Sequence, residues 1–581
     1  MNILIGWDRE TKKPIYFPLS ALERHVHLIG YTGAGKTTAI ITFLLALLSI
    51  PFHRKCVVII DRLGGFSLDL LRWFASGLCP PWVRERLVYI EGAREDVTVP
   101  INPLLYGTPG EGYYRTARAT EIVLRGWASQ DITQMPRLAR WLFNCFWAAC
   151  QQGLTIGDCV HFLRPHSPLH KPLINSLPDG LKWEWKQILE AHGNQAEVQL
   201  ESCRNRLTPV FEAPGLRAMF SSSKNYLDVR RWMREKKIVL INLAPLGKLP
   251  ETMADTIGGL VVNEVFSVAR SLEPQEREET LLVLDEFQRF VGPDLEFSLA
   301  ESRQLKTSLV MSHQSFSQLV RGEVDLTSLI FQAQTRLMLK VAGLDAEVLA
   351  AELAGFTYNP LRVKDEIWRR SQRISGHKIV ELQSRSQSEN FARQWSETFS
   401  TGRSRNDNVV RRDSSDDVVR GQSAGRTDQS GRGKSGTQGG ASTTGSHETL
   451  VPVYEEYLEL ASRNYYTFEE GKNEWGRDLR RLRPGQGILQ IANDGQLHLI
   501  NVKRSTPGHL EFDWATVRKN LPSVAEAYDR LLEENFRQEC FVSPAVIEAE
   551  TQKRLEQALQ PKLTVRAKDD QQTPEGPDLM A

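Results

Sequence analysis

Eight residues near the start of the chain combine regular glycines with a lysine and a threonine. They read Gly-Tyr-Thr-Gly-Ala-Gly-Lys-Thr from Gly30 to Thr37 and fit G-x-x-x-x-G-K-[ST] at every fixed position. In such a loop the backbone N–H groups close around phosphates, and a helix N-terminus adds its positive end. Lys36 is expected to reach the β- and γ-phosphates, and the Thr37 hydroxyl to hold Mg²⁺. The alternative is a chance glycine-rich turn. The residues expected to line the site are Gly30, Thr32, Gly33, Ala34, Gly35, Lys36, Thr37 and Thr38.

Two acidic residues follow an apolar run that predicts a strand over 281–284. The run reads Leu-Leu-Val-Leu and leads directly into Asp285 and Glu286. Beside a phosphate loop, a strand-end aspartate can bind Mg²⁺ through water, and the glutamate after it can polarise the attacking water. The pair therefore predicts hydrolysis. The alternative is an ordinary acidic turn after a strand.

Gln314 and Arg303 lie on the two sides of a third apolar run, which predicts a strand over 307–312. Gln314 follows the strand end, where open α/β sheets bind ligands, so it is expected to sense the γ-phosphate. The strand spans roughly 20 Å at about 3.3 Å per residue, which separates the two side chains. Arg303 is therefore either an arginine finger for a neighbouring subunit's nucleotide or a surface ion-pair residue.

Alternating strand and helix patterns surround these residues and must position them. An apolar strand over 25–29 precedes the phosphate loop, and a buried helix over 38–50 follows it. Continuous apolar runs at 56–61, 86–90 and 238–243 are typical of parallel strands covered on both faces. The alternation predicts an α/β fold built on a doubly wound sheet.

The rest of the chain divides by pattern. Residues 113–232 show helical spacing without convincing strands, which predicts an inserted all-α subdomain. A Ser-, Gly- and Arg-rich stretch predicts disorder, because it cannot bury enough apolar surface. A hairpin over 487–502 is expected to add to the edge of the main fold. The two parts of the nucleotide-binding domain are predicted at 1–112 and 233–375, with the insertion at 113–232 between them. A disordered linker at 376–450, the returning hairpin at 451–510 and a charged helical tail at 511–581 follow. Within these ranges we also expect a helix near 297–304 and a frayed end over 569–581.

Composition and charge narrow the class of protein. Lys+Arg 72 against Asp+Glu 71 gives a net charge of +1, so bulk charge neither supports nor excludes nucleic acid. Seven cysteines without a C-x-x-C pair fit a cytoplasmic protein with reduced thiols and no zinc site. The longest apolar run, 39–50, is too short to span a bilayer, so any membrane association is expected to come through a partner.

The motifs together resemble those of the HerA/FtsK superfamily of P-loop ATPases. Besides the phosphate loop, the resemblance rests on Leu-Leu-Val-Leu-Asp-Glu-Phe-Gln at 281–288, Ala-Glu-Ser-Arg-Gln at 300–304 and Ser-Leu-Val-Met-Ser-His-Gln at 308–314. Within the superfamily the chain is most similar to conjugative (type IV secretion) coupling proteins of the TraD/TraG type. Coupling proteins usually carry N-terminal transmembrane helices, which this sequence is not expected to form, and many have Asp-Pro-Lys-Gly where this chain has Asp61-Arg62-Leu63-Gly64.

The resemblance implies a RecA-like P-loop sheet that binds ATP and Mg²⁺ and works in a hexameric ring that moves DNA. It also implies that residues 113–232 take the place of the family's all-α domain and meet a relaxase or another secretion-system protein. By motif match the catalytic residues are Lys36, Glu286, Arg303 and Gln314, with Arg303 acting in trans, and the metal residues are Thr37 and Asp285.

Three functions remain open at this point. The first is a DNA-translocating ring ATPase of the conjugative coupling or HerA-like kind. The second is a nucleotide-gated switch or scaffold in a secretion or defence assembly, without processive translocation. The third keeps the motor but gives it protein or virion DNA as cargo. The intact Glu286 argues against a pure binding switch, which can dispense with a catalytic acid.

Overall fold

The computed structural model describes residues 2–51, 54–127, 135–190, 194–290, 301–321, 324–386, 443–504 and 512–559. The strands are β1 (Asn2–Asp8), β2 (Pro14–Pro18), β3 (Val26–Ile29), β4 (Cys56–Asp61), β5 (Leu87–Glu91), β6 (Ile238–Asn242), β7 (Thr280–Leu284), β8 (Thr307–His313), β9 (Val320–Arg321), β10 (Val324–Asp325), β11 (Thr335–Met338), β12 (Val363–Ser386), β13 (Thr443–Tyr465), β14 (Gln486–Gln490) and β15 (Leu497–Val502).

The helices alternate with these strands in the first and last thirds of the chain and dominate the middle. They are α1 (Lys36–Leu48), α2 (Gly65–Ala75), α3 (Pro81–Arg84), α4 (Pro109–Trp127), α5 (Pro136–Gln151), α6 (Val160–Leu163), α7 (His170–Asn175), α8 (Asp179–Leu189), α9 (Gln195–Glu212), α10 (Pro214–Met219), α11 (Val229–Glu235), α12 (Glu251–Ser271), α13 (Thr327–Ile330), α14 (Gly343–Thr357), α15 (Phe468–Arg481), α16 (Trp514–Asn520), α17 (Pro522–Phe536) and α18 (Pro544–Leu559). Two units result: Met1–Tyr358 with Thr467–Ala581, and Asn359–Tyr466.

One mixed sheet organises the first unit. Its order is β2-β1-β15-β14-β11-β3-β8-β7-β4-β6-β5. The run from β11 to β5 is parallel, and the run from β2 to β11 is antiparallel. Strand β8 lies between the strand that leads into the phosphate loop and β7, so the carboxyl ends of β3, β8 and β7 meet at one edge. This arrangement confirms the predicted α/β RecA-like P-loop fold.

The central strands are apolar throughout because helices cover both faces of the sheet. Along β4, Val58 and Ile60 join the core that contains the helical middle of the chain, whereas Val57 and Ile59 join the core under α1 and α2. All residues of β4 are buried. Side chains alternate across a strand, so one apolar run can serve both cores.

The middle of the chain is helical, as predicted, from α4 to α11 between β5 and β6. Its large rings pack inward: Trp141 and Trp185 lie 5.4 Å apart in an edge arrangement, and Phe146 is fully buried. These side chains belong to the same continuous core as Val58 and Ile60 of the sheet. The helical block is thus one packed layer on the sheet.

Two expectations need correction. The hairpin of β14 and β15 does not lie at an edge of the main fold, because β14 pairs with β11 and β15 pairs with β1. The N-terminal hairpin of β1 and β2 extends the sheet beyond it. The expected disordered linker, 376–450, begins and ends inside paired strands, since β12 runs to Ser386 and β13 starts at Thr443.

Residues 387–442, the first half of the expected helix near 297–304, and the expected frayed end at 569–581 lie outside the described residues. All seven cysteines are free thiols. Within the described ranges, the helices lack the combination of length and hydrophobicity needed to cross a bilayer.

The charged C-terminal helices are part of the first unit and are held to its sheet and helical block by buried polar contacts. The Asn535 amide of α17 pairs with the exposed edge of β5: it donates to the Tyr89 carbonyl at 2.8 Å and accepts from the Tyr89 N–H at 2.7 Å. On α18, Arg554 forms an ion pair at 2.9 Å with the buried Asp158 of the helical block. Asn535 thus caps the open edge of the sheet as another strand would.

Candidate nucleotide site

The phosphate loop ends on a helix terminus that is open to a ligand. Gly35 has φ 106°, which favours glycine, and α1 begins at Lys36 without a side-chain cap. Its first N–H groups therefore point into the loop with the positive end of the helix behind them. Gly30 is needed for close approach to the neighbouring strand end, because a Cβ there would lie 2.9 Å from the Cβ of Leu339.

A second segment fixes the loop from outside. The Gly485 N–H, at the entry to β14, donates to the Ala34 carbonyl at 3.0 Å. A Cβ on Gly35 would lie 3.2 Å from the Gly485 nitrogen. The β14–β15 hairpin therefore supports the phosphate loop directly. Its position beside β11 brings Gly485 within reach of that loop.

Lys36 is buried and points back into the loop. Its Nζ donates to the Gly30 carbonyl at 2.6 Å. Burial lowers the pKa of Lys36, while the nearby carboxylates of Glu286 and Asp285 raise it. A triphosphate would supply stronger acceptors at this position, so Lys36 is poised to exchange a carbonyl for phosphate oxygens.

Asp285 directly follows β7, and its carboxylate is held by the neighbouring strand β8. It is 6% exposed and accepts a hydrogen bond from the Ser312 hydroxyl of β8. Burial raises the pKa of Asp285, and the bond from Ser312 opposes that shift. A carboxylate and the Thr37 hydroxyl are hard oxygen donors of the kind Mg²⁺ prefers, with water and phosphate completing the shell. These residues therefore fit the metal that the sequence predicts.

Glu286 adopts a backbone conformation that non-glycine residues seldom take. Its φ of 55° and ψ of 47° place it in the left-handed region, at a cost on the order of 1–3 kcal/mol. Two amides hold the carboxylate: Gln314 Nε2 donates to Oε1 and Gln288 Nε2 to Oε2, each at 2.7 Å. The strained turn and its two donors aim one carboxylate at the phosphate loop.

Gln314 connects this carboxylate to the loop itself. Its Oε1 accepts from the Thr32 hydroxyl at 2.8 Å while its Nε2 binds Glu286. Gln318 supports the arrangement, because its Oε1 accepts from the Gln314 N–H at 3.2 Å and from Gln288 Nε2 at 3.3 Å. A γ-phosphate entering between Thr32 and Glu286 would have to rearrange these bonds.

Two buried histidines join the strands on which the site is built. His27 of β3 and His313 of β8 stack at 4.9 Å, with their Nε2 atoms 2.8 Å apart. His313 Nδ1 lies 3.1 Å from the Ser315 carbonyl, so it carries the proton, and His27 Nε2–H then donates to His313. Burial lowers the pKa of His313 to about 4 and that of His27 well below its usual range. The pair is therefore neutral.

Arg303 lies at the other end of β8. It is exposed, and its carbonyl accepts from Lys306 in the turn that leads into the strand. Gln314 follows the carboxyl end of the same strand. The structure therefore brings Lys36, Thr37, Asp285, Glu286 and Gln314 to one edge of the sheet and leaves Arg303 at the opposite edge.

The motif that departs from the coupling-protein pattern has a structural role here. Asp61 caps α2 by accepting from the N–H groups of Gly64 and Ser67 at 2.9 and 2.6 Å. Arg62 is buried and forms an ion pair at 2.7 Å with Asp255 of α12, which also binds Arg289 at 3.3 Å. The segment after β4 is thus tied to the turn that follows Glu286.

Sequence reasoning missed Gln288, Gln318 and the histidine pair. Gln288 belongs to the motif at 281–288, and His313 directly precedes Gln314. Both residues therefore lie in motifs that the sequence analysis recognised, but neither was given a function. Gln288 reaches Glu286 within the same turn, whereas the contact of Gln318 with Gln288 and the histidine pair depend on β8 lying between β3 and β7, which no local pattern predicts.

Comparison with known proteins finds similar solved structures but no similar sequence. No protein-family model matches the chain, and no curated protein sequence does. The plasmid coupling protein TrwB in complex with ADP and Mg²⁺ is 13% identical, with a TM-score of 0.48, over 87% of this chain and 95% of that one. The likeness to this structure is one of fold.

Two further solved structures extend that likeness. An unbound form of the bacterial conjugative coupling protein TrwBΔN70 is 12% identical, with a TM-score of 0.46, over 85% of this chain and 88% of that one. VirB4 of Thermoanaerobacter pseudethanolicus is 14% identical, with a TM-score of 0.42, over 60% of this chain and 86% of that one. At these values the function must be argued from this chain's own residues.

Proposed function

We propose that this chain is an ATP-hydrolysing motor that assembles in a ring, of six subunits by family resemblance, and moves DNA as a coupling ATPase. The observation that carries the proposal is the bridge made by Gln314 between Thr32 of the phosphate loop and the carboxylate of Glu286. A site that only binds nucleotide has no need of a strained, doubly supported acid beside the γ-phosphate position.

Each residue then has a stated task. Lys36 and the N–H groups of the phosphate loop hold the β- and γ-phosphates, and Thr37 and Asp285 hold Mg²⁺ directly or through water. Glu286 polarises the attacking water, with the support of Gln288. Gln314 exchanges its bond to Thr32 for one to the γ-phosphate, and so reports the nucleotide state along β8.

Arg303 completes a neighbour's site. It is exposed at the amino end of β8, whereas its own nucleotide edge lies at the carboxyl end, roughly 20 Å away for a strand of this length. A head-to-tail ring presents the amino edge of one sheet to the carboxyl edge of the next. In that arrangement Arg303 would stabilise charge on the neighbour's γ-phosphate.

DNA is the proposed cargo, and contacts to its phosphates would make the motor sensitive to salt. The helical layer formed by residues 113–232 is the proposed contact for a relaxase or another secretion-system protein. Trp183, which is 63% exposed on α8, is a candidate for that contact because exposed aromatic side chains are common anchors. The motor would work in the cytoplasm and reach a membrane only through such a partner.

The test is ATP turnover, with and without double-stranded DNA, of the wild type, Glu286→Gln, Arg303→Ala and an equimolar mixture of the two variants. Arg537→Ala is the matched control, because Arg537 directly follows α17, is exposed, and pairs with Glu533 of that helix. DNA should stimulate the wild type and the control, and each single variant should be inactive. The mixture should recover about a quarter of wild-type turnover, the share of junctions that pair an intact Arg303 with an intact Glu286.

Other outcomes separate the alternatives. Turnover that ignores DNA but follows a protein partner would favour the switch or scaffold. A DNA-stimulated wild type with an inactive mixture would keep the motor and refute Arg303 as a residue acting in trans.

A further inference from the structure

The second unit contains a long two-stranded hairpin. Strands β12 and β13 pair antiparallel from Val363 opposite Tyr465 to Ser386 opposite Thr443. At about 3.3 Å per residue, β12 is roughly 75 Å long. Within the described residues this sheet has two strands, so the outer edge of each is unpaired. A two-stranded ribbon is at best marginally stable alone in water, and its free edges can pair with further strands.

One face of the hairpin is rich in exposed apolar side chains. Because directly opposed residues share a face, Trp368 lies beside Leu460 and Ile374 lies beside Tyr454. Leu458 of the same face is 64% exposed and Trp368 is 53% exposed. Such a surface favours further burial.

The two strands carry opposite charge. Residues 367–380 of β12 contain no acidic residue, and residues 448–460 of β13 contain no basic residue. The basic residues of the first stretch are Arg369, Arg370, Arg373 and Lys378, and the acidic residues of the second are Glu448, Glu455, Glu456 and Glu459. The hairpin therefore has a positive edge and a negative edge.

Within one hairpin these charges already pair across the strands. Arg373 lies 3.2 Å from Glu455, and Arg369 lies 3.5 Å from Glu459. These side chains are about half exposed or more, so the pairs are accessible to a third strand. A β13 edge placed beside β12 would give each arginine a glutamate on both sides.

We propose that the β12 edge of one copy of this chain pairs with the β13 edge of the next copy, so that the hairpins join head to tail into a continuous antiparallel sheet. The charges decide the symmetry. A two-fold contact would set the arginines of β12 against the same arginines, which is unfavourable. A head-to-tail contact sets arginine against glutamate, and it forms a ring when the rotation from one copy to the next closes.

A second copy is favoured over other occupants of the hairpin. The glutamate-rich strand disfavours nucleic acid along the whole ribbon. Arg370, Gln372 and Glu456 interrupt the apolar face, which disfavours insertion into a lipid bilayer. This inference concerns a surface separate from the nucleotide site and does not depend on hydrolysis.

The first test measures the mass distribution of the full chain in solution by mass photometry and sedimentation velocity. One triple variant reverses β12 (Arg369→Glu, Arg370→Glu, Arg373→Glu) and the other reverses β13 (Glu455→Arg, Glu456→Arg, Glu459→Arg). Each should weaken assembly at least tenfold, and mixing the two should restore it, because each then offers the edge that the other needs. Binding of a fluorescent ATP analogue and the circular dichroism spectrum verify that the variants are folded.

The second test identifies which edges meet. In a Cys540→Ser background, one population carries Ser371→Cys on β12 and the other carries Tyr457→Cys on β13, and a short bismaleimide joins neighbouring thiols. The head-to-tail contact predicts cross-linked dimers in the mixture and few in either population alone. Equal cross-linking within one population, or unchanged assembly of both triple variants, would overturn the proposal.

Two further results would also overturn it. One is a wild-type chain that stays monomeric while its hairpin binds lipid vesicles or duplex DNA. The other is assembly that persists unchanged when residues 359–466 are replaced by a short Gly/Ser linker; such a linker is feasible because the rings of Tyr358 and Phe468 lie 5.7 Å apart. Glu286→Gln should assemble as the wild type does, so failure of the motor proposal would leave this result intact.

Discussion

The nucleotide site and the β12–β13 hairpin use charged side chains in opposite ways. At the site, the carboxylates of Asp285 and Glu286 are buried and receive hydrogen bonds from their own chain. On the hairpin, arginines and glutamates are exposed along two strands whose outer edges have no partner strand among the described residues. The first region is organised before its ligand arrives, whereas in the second, within the described residues, one backbone edge of each strand has no partner strand.

The contrast suggests a division between chemistry and assembly. Changes at the site should alter turnover and leave subunit association intact. Changes on the hairpin should alter association and have little effect on the stability of a single chain. A site variant that impairs association, or a hairpin variant that destabilises the single chain, would contradict this division.

Glu286→Gln should have the largest effect. Because the amide cannot act as a base toward water, turnover should fall by roughly 10²–10⁴-fold. Nucleotide affinity should change little, since Lys36 and the phosphate loop are untouched. Single-turnover hydrolysis and equilibrium binding of a non-hydrolysable analogue separate the two quantities. A loss of binding equal to the loss of turnover would mean that Glu286 shapes the loop and does not act on water.

The buried histidine pair should make stability depend on pH. Both pKa values are lowered by folding, so the unfolded chain binds more protons below its ordinary histidine pKa. Stability should therefore fall as pH drops from about 6.5, the unfolded value, towards about 4, the value for His313. The loss for His313 is on the order of 3 kcal/mol.

Denaturant unfolding at several pH values measures this dependence. His313→Gln should flatten the slope in that window, because glutamine keeps a hydrogen-bonding group that does not titrate. His166→Gln is the matched control, since His166 is 83% exposed. A slope that is the same in both variants would show that other groups dominate acid sensitivity.

Much of the site was visible in the sequence because its motifs are local. A few consecutive residues are enough to recognise the phosphate loop and the Asp285-Glu286 pair. The length of one strand is enough to predict that Arg303 and Gln314 lie far apart. The bond from Gln288 to Glu286 is local, but the contact of Gln288 with Gln318 and the pairing of His27 with His313 join segments distant in sequence, which local patterns do not predict.

The full length of the hairpin and the packing of the C-terminal helices are not evident from local sequence, for a related reason. The inner ends of β12 and β13 resemble the polar stretch between them, so the composition averaged over 376–450 does not reveal them, and residues 367–374 show no clean alternation of apolar and polar side chains. The C-terminal helices were expected to form a charged tail, because local sequence does not show that Asn535 and Arg554 are buried.

Asn535→Ala should have an intermediate effect on stability. It would leave the buried N–H and carbonyl of Tyr89 without their partners, at a cost of about 2 kcal/mol. Chemical denaturation of the full chain measures the loss. Gln538→Ala is a milder comparison, because Gln538 donates one bond at 3.1 Å to the Leu87 carbonyl on the same edge. Equal effects would argue that the edge of β5 is satisfied by water.

The smallest expected effect concerns the hairpin's own ion pairs. Arg463 lies 2.9 Å from Glu366 near the base of the hairpin, with both side chains substantially exposed. Such pairs contribute about 0.5 kcal/mol or less in water. Glu366→Gln should therefore barely change the unfolding of a dilute, monomeric chain, and Glu455→Gln should behave alike. At concentrations where copies associate, Glu455→Gln should weaken association more than Glu366→Gln, because Glu455 belongs to the acidic stretch and Glu366 precedes the basic one. A large effect of either change on the monomer would mean that the hairpin is stabilised by its internal pairs, and the case for completion by a second copy would then fall.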